Sequence, residues 1–299
     1  MEANRTWLFV PGNNARRVDR ALNAGADAAI LDLEDAVAVA EKVAARSAVA
    51  DGLTRPRTAR AYVRVNALDT GYTFGDLEAA VVPGLDGIVL PKVERAADIQ
   101  MVDWVIGELE KKRGLTPGSV DLMPILETGR GVADARAICA ALNGGGRLKR
   151  VSFGAGDYTR DMGMEWTMGE AEIAPAQAEV VLASRVAGLQ PPVDTVFVHI
   201  REHAAFRASC LRVRQMGFQG KLLIHPDQVA PANETFTPSP DELAKARKIV
   251  AAFREEEAAG LASIQVDGHF VDYPIVEKAR RVVALAEAVA AGTAGTGDG

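Results

Sequence analysis

Short apolar runs recur along the chain, and each is followed by a segment in which apolar residues return every three or four positions. The first run, Thr6 to Val10, is closed by Pro11-Gly12. Asn13 or Asn14 can then cap a helix, ARRVDRALNAGA, whose Val18, Ala21 and Leu22 share one face. AAILDLED opens with an unbroken apolar run, as expected of a parallel strand buried on both faces. The alternation then predicts a helix from Val37 to Leu53, the strand ARAYVRVN, a short helix FGDLEAAVV, the strand GIVLPKV and a helix from Ala96 to Glu110. LMPILET is the fifth strand, and its helix, Val132 to Leu142, should stop at Asn143-Gly144-Gly145-Gly146. LKRVSFGAGD is the sixth strand, followed by a helix from Ala174 to Val186 that carries Pro175 in its first turn. VDTVFVHI, the helix around Cys210 and KLLIHPDQV complete the series.

Eight strand–helix units in about 230 residues, spaced by about 30, predict an α/β fold with a parallel sheet closed as a TIM (β/α)8 barrel. An open doubly wound sheet is the alternative. Against it, no Gly-x-Gly-x-x-Gly follows the first strand, and polar residues are spread over many strand ends. The pattern changes after His225. PANETFTPSPDE reads as a proline-rich linker, Pro240 to about Ala259 as a charged helix, and DGHFVDYPIVEKARRVVALAEAVA as a turn-rich piece with a final helix. The expected organisation is a catalytic barrel over 1–229, a C-terminal linker and helical lid over 230–290, and a disordered tail over 291–299.

Composition narrows the function. The 48% hydrophobic and 25% charged content is that of a globular protein, and a net charge of −6 without a basic run gives no footprint for nucleic acid. Cys139 and Cys210 each lie in a helical pattern and read as buried small hydrophobes, so a disulfide framework is excluded. MEANRTWLFVPG lacks signal-peptide architecture and no apolar run reaches membrane-spanning length, so a cytoplasmic protein without membrane partners is expected.

In a TIM barrel the chemistry sits at the C-terminal ends of the strands. Those ends carry Asp32, Glu34 and Asp35, then Arg64 and Asn66, Lys92 and Glu94, Glu127, Asp157, and finally His225 and Asp227. So many carboxylates at one mouth would repel one another without a cation. Mg²⁺, or Mn²⁺, answers this, with Glu127 and Asp157 as ligands because each closes an apolar run and is followed by small residues. Either carboxylate could instead cap the next helix. Glu34 and Asp35 suit the metal's waters, or the orientation of an arginine. Arg64, in VRVN, needs an anion: Glu34, Asp35, a substrate carboxylate or a developing enolate oxygen. Lys92 raises the possibility of a Schiff base, but a glutamate follows two residues later and the site already has a metal candidate. His225 before proline reads as a structural hydrogen-bonder, and no Gly-x-Ser-x-Gly motif is present. Arg16 and Arg17 open a helix directly after PGNN, either as a phosphate site or as a solvated face.

The segments RTWLFVPGNNARRVDRALNAGADAAILDLEDAV, YVRVN, LPKVE, ILET, GAGDYTRDMG and IHPDQV occur in this order. Together they resemble the citrate lyase beta subunit-like and malyl-CoA lyase family of HpcH/HpaI-type metal-dependent aldolases. The resemblance spans about residues 5–229. It implies a TIM barrel, Mg²⁺ on Glu127 and Asp157, and reversible cleavage of a 3-hydroxyacyl-CoA to acetyl-CoA or propionyl-CoA plus a 2-oxo acid. It implies Arg64 at the enolate oxygen, with Arg16 and Arg17 meeting CoA phosphates and Lys92 binding substrate. It also implies homotrimers or hexamers in which DGHFVDYPIVEKARR acts as a lid, its Asp272 reaching a neighbouring subunit's site as the base. A helix N-cap before Pro274 is the other reading of Asp272. A free 2-oxo acid aldolase, a citrate lyase beta subunit acting on an acyl carrier partner, and a malyl-CoA thioesterase are alternative activities. Nothing in the sequence ranks glyoxylate, pyruvate and oxaloacetate as the 2-oxo acid.

Overall fold

The computed structural model describes residues 2–143, 146–258 and 263–294. The chain divides into two compact units: Asn4–Phe236, and the chain from Thr237 onward together with the first residues. In the larger unit the strands β1 (Thr6–Pro11), β2 (Ala28–Asp32), β3 (Arg60–Arg64) and β4 (Gly87–Leu90) are parallel neighbours in chain order. The barrel continues through β5 (Asp121–Leu126), β6 (Ser152–Phe153), β7 (Val193–Asp194) and β8 (Gly220–Leu223), and β8 closes it by pairing with β1. The expected TIM barrel is therefore the fold, and the open sheet is excluded.

The helices between the strands are α1 (Ala15–Leu22), α2 (Lys42–Leu53), α3 (Thr73–Ala80) and α4 (Ala96–Arg113). After β5 come α5 (Gly129–Ala133) and α6 (Ala135–Cys139), and later α7 (Ala155–Asp161), α8 (Ala174–Val186), α9 (His203–Met216) and α10 (Val229–Phe236). None of the described helices is long and apolar enough to cross a membrane.

Side-chain alternation builds two cores. Outward residues such as Leu8, Leu31, Val63 and Leu126 pack with the helices. Inward residues Trp7, Ile30, Tyr62, Val89, Met123 and Leu222 fill the barrel, so it is a packed core and no pore. The N-terminal end is plugged by Arg150, whose guanidinium lies 5.4 Å from the Trp7 ring centroid and donates to Gln190 Oε1 at 2.9 Å. Between β7, β8 and α8 the fully buried pair Lys221–Asp194 is completed by Gln177, which donates to Asp194 Oδ1 at 2.7 Å.

Four expectations change. The sixth strand stops at Phe153, because Gly154 turns the chain directly into α7; Asp157 thus lies in the first turn of a helix, where the helix dipole favours an acid. The single helix after β5 is two short ones broken at Asp134; Asn143 has φ +53°, and Gly144 and Gly145 lie outside the described residues. The expected linker after 229 is largely α10, which buries Val229, Ala232 and Phe236 on one face. Its Asn233 Oδ1 accepts from Thr6 Oγ1 at 3.0 Å, so the barrel unit runs to Phe236 rather than to 229.

The fourth change is in the C-terminal unit, where the helices α11 (Pro240–Ala258) and α12 (Tyr273–Ala294) are accompanied by an antiparallel hairpin of β9 (Ser263–Val266) and β10 (His269–Asp272). Asp267 and Gly268 turn it with φ of +51° and +77°, the two positive values that an Asp-Gly hairpin turn requires. Phe253, Val266, Val271 and Val276 form this unit's own core. Of the expected tail, 291–294 belong to α12, and 295–299 lie outside the described residues.

Candidate active site

The strand period carries the inward rows up to the barrel mouth. Ile30, Tyr62, Ile125 and Leu222 face inward, and two residues on from each stand Asp32, Arg64, Glu127 and Ile224. They meet in a cavity of about 390 Å³. Its polar side is Asp32, Asp35, Arg64, Glu127, Asp157 and Thr195. Its apolar side includes Phe9, Ile125, Val196, Leu222 and Ile224, with Gly154 and Gly156 leaving room between the two sides.

Arg64 is held on several sides. Asp32 is its register partner on the next strand and receives Nε at 2.7 Å and Nη2 at 2.6 Å, a two-pronged pair. The guanidinium lies 4.7 Å from the Phe9 ring centroid. Nη1 stands 3.0 Å from Glu34 Oε2 and 3.7 Å from Asp35 Oδ2. Burial alone would raise the Asp32 pKa; the Arg64 charge and bonds, with amides of Glu34 and Ala36 donating at 2.9 Å each, outweigh it and hold the carboxyl below its usual range. Burial would also lower the Arg64 pKa, but Asp32 first and then Glu34 push it higher still.

Glu34 joins Arg64 to Lys92. Burial raises its carboxyl, opposed by Arg64 and by the Lys92 ammonium, which bonds Oε1. Its Oε2 is buried and, despite the nearby guanidinium, accepts no directed hydrogen bond. Lys92 adopts φ +51°, a conformation costly for a side-chain-bearing residue, and there its amide donates to Glu127 Oε1 at 2.8 Å. Its Nζ also lies 3.7 Å from Asp157 Oδ2. One residue therefore touches three of the four carboxylates expected at the site.

Glu127 is 4% exposed. Burial, then the negative charge of Glu34, push its carboxyl up to about 8; Asp157 adds to the shift, while Arg64 and Lys92 oppose it. Among the described residues no protein donor reaches its Oε2. Asp157 Oδ1 pairs with the Arg160 guanidinium, whose Nη2 lies 2.6 Å away. No group of three or more metal-binding side chains occurs among the described residues. Two carboxylates, one with a free oxygen beside further negative charge, nevertheless suit a hard cation that completes its shell with water and ligand oxygens. The donor set fits Mg²⁺ or Mn²⁺.

Gly154 makes this approach possible. A Cβ there would stand 2.6 Å from Glu127 Oε2, 2.7 Å from its Cβ and 2.9 Å from Ile125 Cγ2. Gly154→Ala should therefore cost roughly 1–3 kcal/mol of stability and weaken divalent-cation binding. Urea unfolding and a calorimetric Mn²⁺ titration check both effects.

The mouth thus gathers Glu34, Asp35, Arg64, Lys92, Glu127 and Asp157. Arg16 and Arg17 remain on the exposed start of α1, outside the cavity lining; there Asn14 caps the helix by accepting from the Arg17 amide at 3.0 Å. Asp272 lies in the C-terminal unit at the start of α12, its Oδ1 3.4 Å from the Ile275 amide, in keeping with the N-cap reading. His225 also caps, accepting from the Asp227 amide at 3.2 Å. Sequence reasoning missed Asp32 as the main partner of Arg64, although AAILD places it at the next inward position after Ile30. It also missed Thr195, whose hydroxyl accepts from the Ala155 amide at 2.8 Å and so fixes the start of α7.

A (β/α)8 barrel with converging carboxylates and a clamped guanidinium at its C-terminal mouth has the architecture of an enzyme. The sequence pattern of the HpcH/HpaI aldolase/citrate lyase family matches residues 5–226, and the chain belongs to that family of lyases. The citrate lyase subunit beta of Leuconostoc mesenteroides subsp. cremoris is 36% identical over 286 residues, covering 95% of this chain and 93% of that one. The (3S)-malyl-CoA thioesterase of Cereibacter sphaeroides is also 36% identical, over 289 residues and 96% of each chain. Among solved structures, the protein CitE of Mycobacterium tuberculosis in complex with magnesium, acetoacetate and coenzyme A matches with a TM-score of 0.74 at 30% identity, over 95% of this chain and 98% of that one.

Proposed function

We propose that the chain is a Mg²⁺-dependent (or Mn²⁺-dependent) CoA-thioester lyase that cleaves a 3-hydroxyacyl-CoA reversibly into acetyl-CoA or propionyl-CoA and a 2-oxo acid. The observation that carries this reading is the juxtaposition of Glu127 with Arg64: a cation-seeking carboxylate and a charged donor at one cavity wall. The similarity to a CitE structure that holds magnesium, acetoacetate and coenzyme A supports it.

Glu127 and Asp157 would hold the metal, which when bound supplies Lewis-acid polarisation of the 2-oxo acid oxygens. In cleavage a base takes the hydroxyl proton, the C–C bond breaks, and its electron pair moves onto the thioester as an enolate. Of the five N–H donors of Arg64, Asp32 takes two. Donors on the cavity side remain for the enolate oxygen, and their placement before the reaction is what makes such stabilisation effective. Protonation of the enolate carbon then gives the acyl-CoA product. In the synthetic direction Asp272 is the proposed base for the α-proton. The C-terminal unit of the same or a neighbouring chain would deliver it, in a homotrimer or hexamer. Arg16 and Arg17 are proposed to meet the CoA phosphates, and Lys92 to order Glu34 beside the substrate.

The test is turnover of malyl- and citramalyl-CoA with and without chelator, with the products identified. Acyl-CoA plus 2-oxo acid, lost with chelator, is expected. The relative named as a malyl-CoA thioesterase favours a second reading, hydrolysis, which would release free CoA and the hydroxy acid instead. Asp272→Asn should leave the fold intact, since asparagine caps helices as well as aspartate does. It should abolish exchange of acetyl-CoA methyl protons with D₂O; exchange at the wild-type rate would remove Asp272 from the role.

A further inference from the structure

Glu127 and Asp157 leave the barrel on different elements, so two carboxylates that would share one cation need something to set their separation. Glu127 directly follows β5, whereas Asp157 stands in the first turn of α7. The sheet couples them only briefly. β6 has two residues; Leu126 is paired with Phe153, and Gly154 N then donates to Leu126 O at 3.1 Å. At its start α7 is tied to the other side, where the Ala155 amide donates to the Thr195 hydroxyl. That bond fixes where α7 begins, but leaves open how the helix lies against the segment after Glu127.

Asp161 supplies the second tie. It is the last residue of α7 and follows Asp157 by four positions, so the two carboxylates share a helix face. Its Oδ2 accepts from the Gly129 amide at 2.7 Å, and Gly129 is two residues beyond Glu127. Among the described residues this is the one hydrogen bond of the Asp161 side chain, and no cation pairs with it. An acid at the C-terminal end of a helix opposes the helix dipole, so α7 by itself gains nothing from it. The two surfaces also fit. A Cβ at Gly129 would stand 2.6 Å from Met162 Sδ and 3.4 Å from Asp161 Oδ2, so the glycine lets the end of α7 come this close.

We infer that Asp161 is a positioning residue: by holding the Gly129 amide it clamps the segment after Glu127 to the helix that carries Asp157, and so sets the spacing of the two carboxylates for a small divalent cation. The inference rests on the proposal that Glu127 and Asp157 hold the metal, and extends it to a residue outside the cavity lining. Spacing matters more for Mg²⁺ than for Ca²⁺. Mg²⁺ requires short bonds in near-octahedral geometry, whereas Ca²⁺ accepts longer bonds in flexible arrangements.

The test is calorimetric titration of the full chain, freed of metal by chelator, with Mg²⁺ and separately with Ca²⁺. Asp161 is exposed, so truncating it opens no cavity and Asp161→Ala should fold; urea unfolding in chelator checks this. Asp161→Ala is expected to weaken Mg²⁺ binding on the order of tenfold and Ca²⁺ binding distinctly less. Asp161→Asn keeps an oxygen acceptor for the Gly129 amide without the charge, and should bind Mg²⁺ within about twofold of wild type. Wild-type Mg²⁺ affinity in Asp161→Ala overturns the inference. So do equal losses for the two ions, or an asparagine variant as weak as the alanine one, since either would mean that Asp161 acts through its charge alone. The titrations need no thioester, so these results leave the lyase reading standing. Absence of thioester turnover alongside the expected binding pattern would instead overturn the lyase reading and keep Asp161 in its role. A wild-type chain that binds neither ion removes both.

Discussion

Glu127→Gln is expected to abolish turnover and, in the metal-free protein, to raise stability at pH 8. Glutamine keeps the acceptor for the Lys92 amide but carries no charge, so the fold retains its contact and the cation loses a ligand. Loss of a metal ligand should cost at least about 10³-fold in kcat/KM. The stability effect follows from the carboxyl's pKa of about 8, raised from an ordinary 4.5 mainly by burial. A group raised in the folded state contributes stability that is fully present below its unfolded pKa and is lost as pH rises through its folded value. Wild type should therefore weaken between pH 4.5 and 8, whereas the glutamine variant has no such proton to lose. The difference should be near zero at pH 4.5 and on the order of 2–4 kcal/mol at pH 8, or roughly 5 °C or more in Tm. Mg²⁺ should reverse the order by stabilising only wild type. Thermal unfolding at both pH values, with Mg²⁺ or with chelator, checks this. A variant less stable than wild type at pH 8 in chelator, or one still stabilised by Mg²⁺, would count against the ligand assignment.

The balance between what is legible in the sequence and what is not has a physical basis. Strand–helix alternation depends on periodicity, a local property, so eight units and their closure could be read from apolar runs such as AAILD and GIVL. Strand ends depend on where a helix begins, which Gly154 decides by its lack of a side chain next to Glu127. That contact joins residues 27 positions apart, so no local pattern reports it. The same holds for α10: prolines and polar residues suggested a linker, while the burial of Val229, Ala232 and Phe236 won. In contrast, Asp267-Gly268 is a legible hairpin signal, although the strands that flank it are only four residues long. The carboxylates of the mouth were legible because charges at the ends of apolar runs are costly without a task. Their partners were less so: Arg64 was expected to pair with Glu34 or Asp35, and Asp32, its register neighbour, holds it most firmly.

That pairing makes Arg64→Ala the second large effect, and one with a distinctive pH dependence. The substitution removes the proposed enolate donor, for an expected loss on the order of 10²–10³-fold in kcat/KM. It also leaves Asp32 and Glu34 buried without their guanidinium, at a cost of about 3–5 kcal/mol at pH 7.5. Asp32 is the group that fixes the sign. Its carboxyl is depressed in wild type because Arg64 overcomes the effect of burial. A depressed carboxylate contributes stability that is present above its unfolded pKa and is lost as pH falls through its folded value. In the variant burial acts unopposed by Arg64, so Asp32 should take up a proton on mild acidification and the penalty should be relieved. The gap between wild type and variant should therefore narrow steadily from pH 7.5 toward pH 4. Arg64→Lys should recover part of the stability, since the charge returns, but little activity, since an ammonium cannot grip Asp32 through two parallel bonds and still offer donors to the cavity. Urea unfolding at pH 7.5, 5.5 and 4.5, alongside kcat/KM, separates these terms. A deficit that stays constant or grows toward acid would show that Arg64 stabilises the mouth through something other than its pairing with Asp32.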